Sequence, residues 1–443
     1  MGARGRRRRL LLAALMLTAA APAAAEAPRS AIPWLSESLR ATEPEAPPPA
    51  AQTPDAPAPT GFEVTTLGAQ RLDAIGLLPA ATAGLREDFW GATSALRARQ
   101  IIRTHPATGV PATRSLFDRI LIARLDPPRG SGPRAGVLLA RIDRLMAAGA
   151  LDRAEALVRR AGLSEPEIAR RAFDIGLLTG RVETACDEML SNPRVAPTLP
   201  ARVFCLARLG DWPAAAMTQR VGERLGSLEP GMAELLARFI DPEAFLEAEA
   251  PPLPETLTPL HFMLREALFL PRPRGALPLA FLQNDLDRFA PPRTRIEAAE
   301  RLARSGALPR PQLFAIYRDH RAATSGGAWG RAEAVQALDR ALAGGAAEEI
   351  AAALAEADLR LSSHGLRVAL AEEFAPALAL RGIAGAGDIL LLGGRPEALG
   401  AEVDPVQAAA SAILTGAPPP ETGARRMLGP VEALAAVALE VFA

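Results

Sequence analysis

The stretches that decide the fold are GALDRA at residues 149–154, GRVETA at 180–185 and GDWPAA at 210–215. They share the pattern Gly-x-apolar-x-x-Ala at intervals of 31 and 30 residues, a period typical of helical repeat arrays. Glycine can end a helix with a positive φ, the apolar residue can fill the hairpin, and alanine lets the second helix approach closely. The pattern predicts helical hairpins that turn at Gly149, Ala154, Gly180, Ala185, Gly210 and Ala215.

Amphipathic patterns flank each of these turns. They predict helices over 138–148, 151–160, 167–178, 182–190, 201–209 and 214–225. Further helices are predicted over 261–268, 295–304, 311–320, 331–342, 348–361, 367–380, 404–414 and 431–441. Hydrophobic residues make up 49% of the chain but aromatic residues only 4%, so the apolar content is mostly the helix-forming residues Ala and Leu. We therefore expect an all-α fold of helical-hairpin repeats stacked as an α-solenoid.

The turn pattern resembles the junction between the two helices of a tetratricopeptide-type repeat, which implies stacked hairpins and names no partner. The chain as a whole is similar to a group of uncharacterised exported proteins of alphaproteobacteria, some of them labelled antifreeze-glycopeptide-like. That resemblance rests on the Ile-Pro-Trp-Leu-Ser start at 32–36, a proline-rich spacer, Gly-Leu-Leu-Pro at 76–79 and Arg-Leu-Gly-Asp-Trp at 208–212.

The first 25 residues have the organisation of a secretory signal peptide. Arg4 and the arginines at 6–9 precede an apolar run at 10–21, and three alanines at 23–25 precede Glu26. The apolar run is shorter than the roughly 20 residues that a membrane-spanning helix needs. We expect cleavage after about Ala25, a periplasmic location and no stable membrane insertion.

The charge balance argues against nucleic acid and anionic membrane surfaces as partners. All 50 basic residues are arginines, and five of them lie in residues 1–25, which contain no acidic residue. The remainder therefore carries 45 arginines against 50 acidic residues, a net charge of −5. It also lacks a basic patch interleaved with aromatic residues.

Residues 26–61 are expected to form a disordered leader and spacer, because seven prolines fall within 42–61 and large apolar side chains are almost absent there. Ahead of the spacer lies an isolated apolar group, Ile32, Trp34, Leu35 and Leu39. These residues either dock on another protein or fold back onto their own globular body. Beyond the spacer we expect a helical repeat domain over 62–250 and a C-terminal helical domain over 251–443, divided by Ala-Pro-Pro-Leu-Pro at 250–254.

Catalytic and cofactor signatures are weak. Without lysine, the P-loop and Schiff-base chemistries are excluded. The four histidines, His105, His261, His320 and His364, are far apart in sequence, and no cofactor or metal is expected. The acidic pairs at 348–349 and 372–373 are interpreted as solvated helix faces. The favoured hypothesis is a non-catalytic scaffold that binds an unidentified envelope protein, and the alternative is an envelope (peptidoglycan-related) hydrolase whose site is assembled from the helical domain.

Cys186 and Cys205 are the only cysteines, in a compartment that oxidises cysteine pairs. Each lies on an apolar stripe, and both stand almost equally far from a turn marked by Asn192-Pro193 and Pro197. In a hairpin they should face each other, so a disulfide is predicted; the alternative is two small buried core residues.

Overall fold

The computed structural model describes residues 71–105, 111–195, 197–273, 276–319, 326–383 and 385–393. The chain divides into two compact units, Met1–Leu67 and Gly68–Ala443, and every described residue belongs to the second unit. The described part is all-α apart from one short pair of strands, so the predicted fold class is confirmed.

Several sequence predictions lie outside the described residues. These are the signal segment 1–25, the leader and spacer 26–61 with Ile32, Trp34, Leu35 and Leu39, and the helices predicted over 404–414 and 431–441.

Residues 72–124 form a small unit of helices and two short strands that contains a close backbone contact. A 3-10 turn (Leu72–Ala74) leads to β1 (Leu78–Pro79), then α1 (Ala95–Thr104), α2 (Pro111–Ile122) and β2 (Ala123–Arg124). The strands pair in parallel, with Leu78 beside Ala123. A Cβ at Gly76 would lie 2.2 Å from the carbonyl carbon of Ala123, so only glycine permits this approach.

Three helical hairpins follow, and each helix packs on the next. Their bounds are α3 (Gly136–Ala147), α4 (Leu151–Ala161), α5 (Pro166–Thr179), α6 (Glu183–Ser191), α7 (Leu199–Arg208) and α8 (Trp212–Arg224). The bounds lie within two or three residues of the sequence predictions, because the amphipathic period and the turn glycines mark the ends of these helices.

The repeated turns have a common backbone geometry. Gly149, Gly180 and Gly210 have φ values of 81°, 71° and 93°, which glycine adopts without strain. The alanines of the pattern, Ala154, Ala185 and Ala215, are buried where the second helix of each hairpin meets its neighbours. The apolar turn residue is buried in the first two hairpins, as Leu151 and Val182, whereas Trp212 of the third hairpin is 45% exposed.

Two more helices continue the array, and the second of them packs back on an earlier helix. The helices α9 (Pro230–Ile240) and α10 (Pro259–Ala267) follow, and α10 packs on both α9 and α5. The sequence did not predict α9, because the Gly-x-apolar-x-x-Ala pattern is not repeated there. The turn before α9 nevertheless contains a glycine with positive φ, Gly226 at 64°.

The C-terminal helices form a second series of consecutive contacts. After a 3-10 segment (Leu279–Leu286) come α11 (Pro292–Arg304), α12 (Arg310–Asp319), α13 (Gly327–Gly344), α14 (Ala347–Ser362), α15 (Arg367–Arg381) and α16 (Gly387–Leu392). Each packs on its successor, and one continuous apolar cluster runs from α11 to α16.

Residues on both sides of position 250 share hydrophobic cores. Phe262 and Phe281 belong to the cluster that α3 and α4 build, while Leu264 packs with residues of α5. The first hairpin turn also contacts α11, where the Ser305 hydroxyl donates to the Ala148 carbonyl at 3.0 Å. The domain boundary near 250 stays a prediction from the proline pattern, and both sides belong to one compact unit.

The predicted cysteine pair lies between the second and third hairpins. Cys186 of α6 and Cys205 of α7 are both fully buried, with 5.1 Å between their Cα atoms and 2.06 Å between their sulfurs. The predicted juxtaposition is confirmed, and the pair links two hairpins through the core.

Candidate interaction surface

The second helices of the three hairpins, α4, α6 and α8, differ in the side chains they expose. Outward positions of α4 are polar and include Asp152, Arg159 and Arg160, and α6 exposes Thr184 and Asp187. The third helix, α8, instead exposes apolar side chains. Counted from the turn glycines, Val221 corresponds to Arg160 of α4 and Ser191 of α6, both exposed, so the repeat architecture does not itself require an apolar residue at that position.

The exposed apolar residues of α8 lie in one line along the helix. Met217 and Val221 of α8 and Leu225, which directly follows the helix, recur every four residues and are 70%, 49% and 73% exposed. Residues four apart occupy the same side of an α-helix, so the three side chains form a single stripe. We call this stripe, with the two exposed arginines beside it, Arg220 and Arg224, the α8 face.

The two arginines form one border of the α8 face. With 3.6 residues per turn, Arg220 and Arg224 fall on the same side of the stripe, whereas the acidic residue between them, Glu223, lies further round the helix. Glu223 accepts a hydrogen bond from the Gln219 amide at 3.0 Å. Among the described residues neither arginine has an ion-pair or hydrogen-bond partner. The border therefore carries two positive charges that are free to pair with another molecule.

Interactions at the N-terminus of α8 and on its buried face hold the helix in place, and none of them involves the stripe. Asp211 caps its N-terminus by accepting from the Ala214 amide, and Pro213 lies in the first turn, where its missing N–H is not needed. Buried Gln219 donates to the Ala233 carbonyl of α9 at 3.1 Å. Gly222 packs so closely that a Cβ would lie 2.7 Å from Leu199.

Aromatic side chains extend from the core to the surface near the start of α8. Phe173, Phe204 and Phe239 lie on α5, α7 and α9, with ring centroids 5.9 and 5.5 Å apart. Trp212 completes the row, 6.1 Å from Phe239. The indole remains half-exposed because phenylalanines already fill the core beneath it.

The C-terminal helices contain a groove that bears on the hydrolase alternative. A cavity of about 550 Å³ lies between α14 and α16, with an apolar floor that includes Leu354 and Ile389. Its carboxylates belong to Asp358 and Asp388, and the Arg367 guanidinium binds Asp358 at 2.8 and 3.0 Å and Asp388 at 3.2 Å. Both carboxylates of this groove are thus held by one cation.

The expectation that Glu372 and Glu373 form a solvated face is wrong. Glu373 pairs with Arg310 and Arg318 of α12, and Glu372 pairs with Arg310 at 3.3 Å. Burial raises the pKa of Glu372, and Arg310 opposes that shift. These glutamates join α15 to α12, a contact between distant helices that the local charge pattern does not reveal.

The described histidines have separate surroundings. His105 ends α1 and stacks on Phe117, with 4.2 Å between the rings. His261 lies in α10, where burial lowers its pKa and the Thr258 hydroxyl lies 2.7 Å from Nδ1. His364 contacts the Arg331 guanidinium at 2.8 Å, and His320 lies outside the described residues. Within the ranges that the structure describes, no group of three His, Cys, Asp or Glu residues is placed to hold a metal ion.

A buried ionic network joins α11, α12 and α13, and sequence reasoning missed it. Glu300 accepts from Arg331 at 2.6 Å through both carboxylate oxygens and from the Tyr317 hydroxyl at 2.8 Å. Burial raises the pKa of Tyr317 well above its usual value, and the Glu300 charge adds to that shift. Within the network the buried charges of Glu300 and Arg331 pair with each other, so we assign it to packing of the C-terminal helices.

Comparison with protein-family models, curated proteins and solved structures finds no match for this chain. The fold thus defines the class, an all-α protein of stacked helical hairpins. No described helix combines the length and hydropathy needed to cross a lipid bilayer.

Proposed function

We propose that the chain is a non-catalytic periplasmic scaffold that binds another envelope protein through the α8 face. The observation that carries the proposal is the exposed stripe Met217, Val221 and Leu225. Exposed apolar residues that the fold itself does not need are typical of protein-binding surfaces. The location rests on the signal-peptide pattern of residues 1–25.

The size of the α8 face suits a modest contact. Complete burial of an aliphatic or methionine side chain contributes about 1.5–3 kcal/mol, and these three residues are 49–73% exposed. A few such residues at the centre of an interface can dominate its affinity. Half-exposed Trp212 at the start of α8 supplies a further aromatic surface beside them.

The test is affinity capture from periplasmic extract with three versions of the tagged full chain. Val221→Asp/Leu225→Asp places charges in the stripe, and Arg159→Asp/Arg160→Asp makes a matched change on the exposed end of α4. We expect the wild type and the α4 variant to recover the same protein, and the α8 variant to lose it. Equal recovery by all three chains would show that binding does not use α8.

A further inference from the structure

The α8 face has a chemical asymmetry that indicates its partner. The apolar stripe runs from Met217 to Leu225, a distance of about 12 Å at 1.5 Å per residue. Arg220 and Arg224, which pair with no described residue, border it on one side, and the stripe presents one apolar side chain per turn.

We propose that the partner of the α8 face is an acidic amphipathic segment of another protein, with apolar residues on one face bordered by carboxylates. The inference rests on the proposed function and names the class of partner. A segment of this kind would bury Met217, Val221 and Leu225 while its carboxylates pair with Arg220 and Arg224. Arginine binds carboxylates bidentately, so the border would fix the orientation of the bound segment as well as add affinity.

Charge complementarity distinguishes this segment from other occupants. A basic segment would place like charges beside Arg220 and Arg224, which opposes association. An anionic bilayer would also meet arginines, yet stable membrane binding by a helix face needs a large apolar area with bulky residues. The α8 face has only three apolar side chains, so a protein segment is favoured.

The experiment uses the full chain and two synthetic helical peptides that differ only in charge. Both carry leucine at every fourth position, and the bordering positions hold glutamate in one peptide and arginine in the other. Fluorescence anisotropy should show tighter binding of the acidic peptide, weakened by added salt. Two ion pairs at a partly exposed border correspond to roughly a tenfold difference in affinity.

Matched variants locate the binding site. Arg220→Glu/Arg224→Glu should lower the affinity for the acidic peptide roughly tenfold and raise that for the basic peptide. Arg159→Glu/Arg160→Glu on α4 has the same change of charge and should leave both affinities within twofold of the wild type. Circular dichroism checks that each variant keeps its helical content.

Several results would overturn the inference. These are equal affinity for both peptides, equal effects of the α4 and α8 variants, preferential binding to anionic phosphatidylglycerol vesicles, or a dimer that the α8 substitutions dissociate in sedimentation. If the peptides fail while Val221→Asp/Leu225→Asp still abolishes capture from extract, the acidic class is wrong and the proposed function stands. If that variant also captures normally, both fail.

Discussion

Two buried arginines hold irregular segments of this fold together by donating to backbone carbonyls. Arg141, buried in α3, donates at 2.6 to 2.8 Å to the carbonyls of Ile75, Leu121 and Ala123. Arg265 of α10 likewise donates to the Pro251 and Pro271 carbonyls on either side of its helix. The planar guanidinium carries five donors, so one side chain satisfies the backbone of several irregular segments.

Arg141→Lys should therefore be strongly destabilising although the charge is conserved. Burial lowers the pKa of Arg141 to about 10, with Asp73 opposing the shift, so the side chain stays charged at neutral pH. A lysine ammonium cannot reach three divergent carbonyls, and each buried group left unpaired costs about 1–3 kcal/mol. We expect a loss of about 3 kcal/mol in urea unfolding.

The control for this change is Arg160→Lys on exposed α4, which should alter the free energy of unfolding by less than about 0.5 kcal/mol. An equal effect of the two substitutions would contradict the role given to the Arg141 hydrogen bonds.

Asp174 of α5 makes stability depend on pH. Burial raises its pKa from 3.8 to about 6; Arg170 and Arg171 oppose the shift, while Asp143 of α3 adds to it. The folded chain thus holds this proton more tightly than the unfolded chain does. The contribution of Asp174 to stability therefore falls as the pH rises from about 4 to 6, and ionisation is destabilising above that window.

Asp174→Asn should remove this dependence. Two pKa units correspond to about 3 kcal/mol, which partial solvent access reduces to about 1–2 kcal/mol. We expect the variant to be more stable than the wild type at pH 7 and similar to it at pH 4. Parallel stability curves for the two proteins from pH 4 to 7 would contradict the assignment.

At the scale of elements, the turn glycines differ in what surrounds them. A Cβ at Gly180 would meet open space, whereas a Cβ at Gly149 would lie 2.6 Å from Leu302 Cδ2 and 3.1 Å from Leu279 Cβ. Both residues have positive φ, so alanine is strained at either position by about 1–2 kcal/mol.

Gly149→Ala should therefore cost more than Gly180→Ala, by about 1–3 kcal/mol for the added overpacking. Chemical unfolding of the two variants measures the difference. Equal losses would show that the first hairpin turn does not pack on α11 as described.

The covalent link between α6 and α7 should stabilise the array. In the chain-entropy model, a disulfide across 19 residues contributes about 3 kcal/mol. We expect Cys186→Ala/Cys205→Ala to unfold at lower urea concentration, and the wild type to show no reactive thiol when labelled unfolded and unreduced. Two labelled thiols per wild-type chain would contradict the bridge.

The helices were predictable and their long-range partners were not. The turn signature and amphipathic period located α3 to α8, since these signals depend on residues close in sequence. The helix α9 lacked that signature. The Glu300–Arg331–Tyr317 network and the pairing of Glu373 with Arg318 join different helices. The sequence shows these charged residues but does not show which of them pair.

The candidate surface could not be predicted from the sequence either. The spacing of Met217, Val221 and Leu225 is visible in the sequence, yet the same spacing is typical of a buried helix face. Only the packing of Ala215, Gln219 and Gly222 into the core shows which side of α8 is outside. The leader residues that the sequence singled out, including Trp34, stay a prediction.

In the described part of the molecule, later segments of the chain pack against the first repeat helices. The helix α10 packs against α5 as well as α9, and the 3-10 segment at Leu279–Leu286 packs on α3 and α5. The inner sides of these first helices are thus occupied by the chain itself. Among the exposed sides of α4, α6 and α8, the α8 face is the most apolar.

Methionine oxidation tests binding at the α8 face most directly, because Met217 is 70% exposed and needs no substitution to serve as a probe. Peroxide footprinting would compare the purified chain with the chain in intact periplasm, with Arg159→Met on α4 as the matched exposed reference. If a partner occupies the α8 face, Met217 should be oxidised rapidly in the purified protein and be markedly protected in the periplasm, while residue 159 reacts equally in both. Equal oxidation of Met217 in both settings would contradict an occupied α8 face.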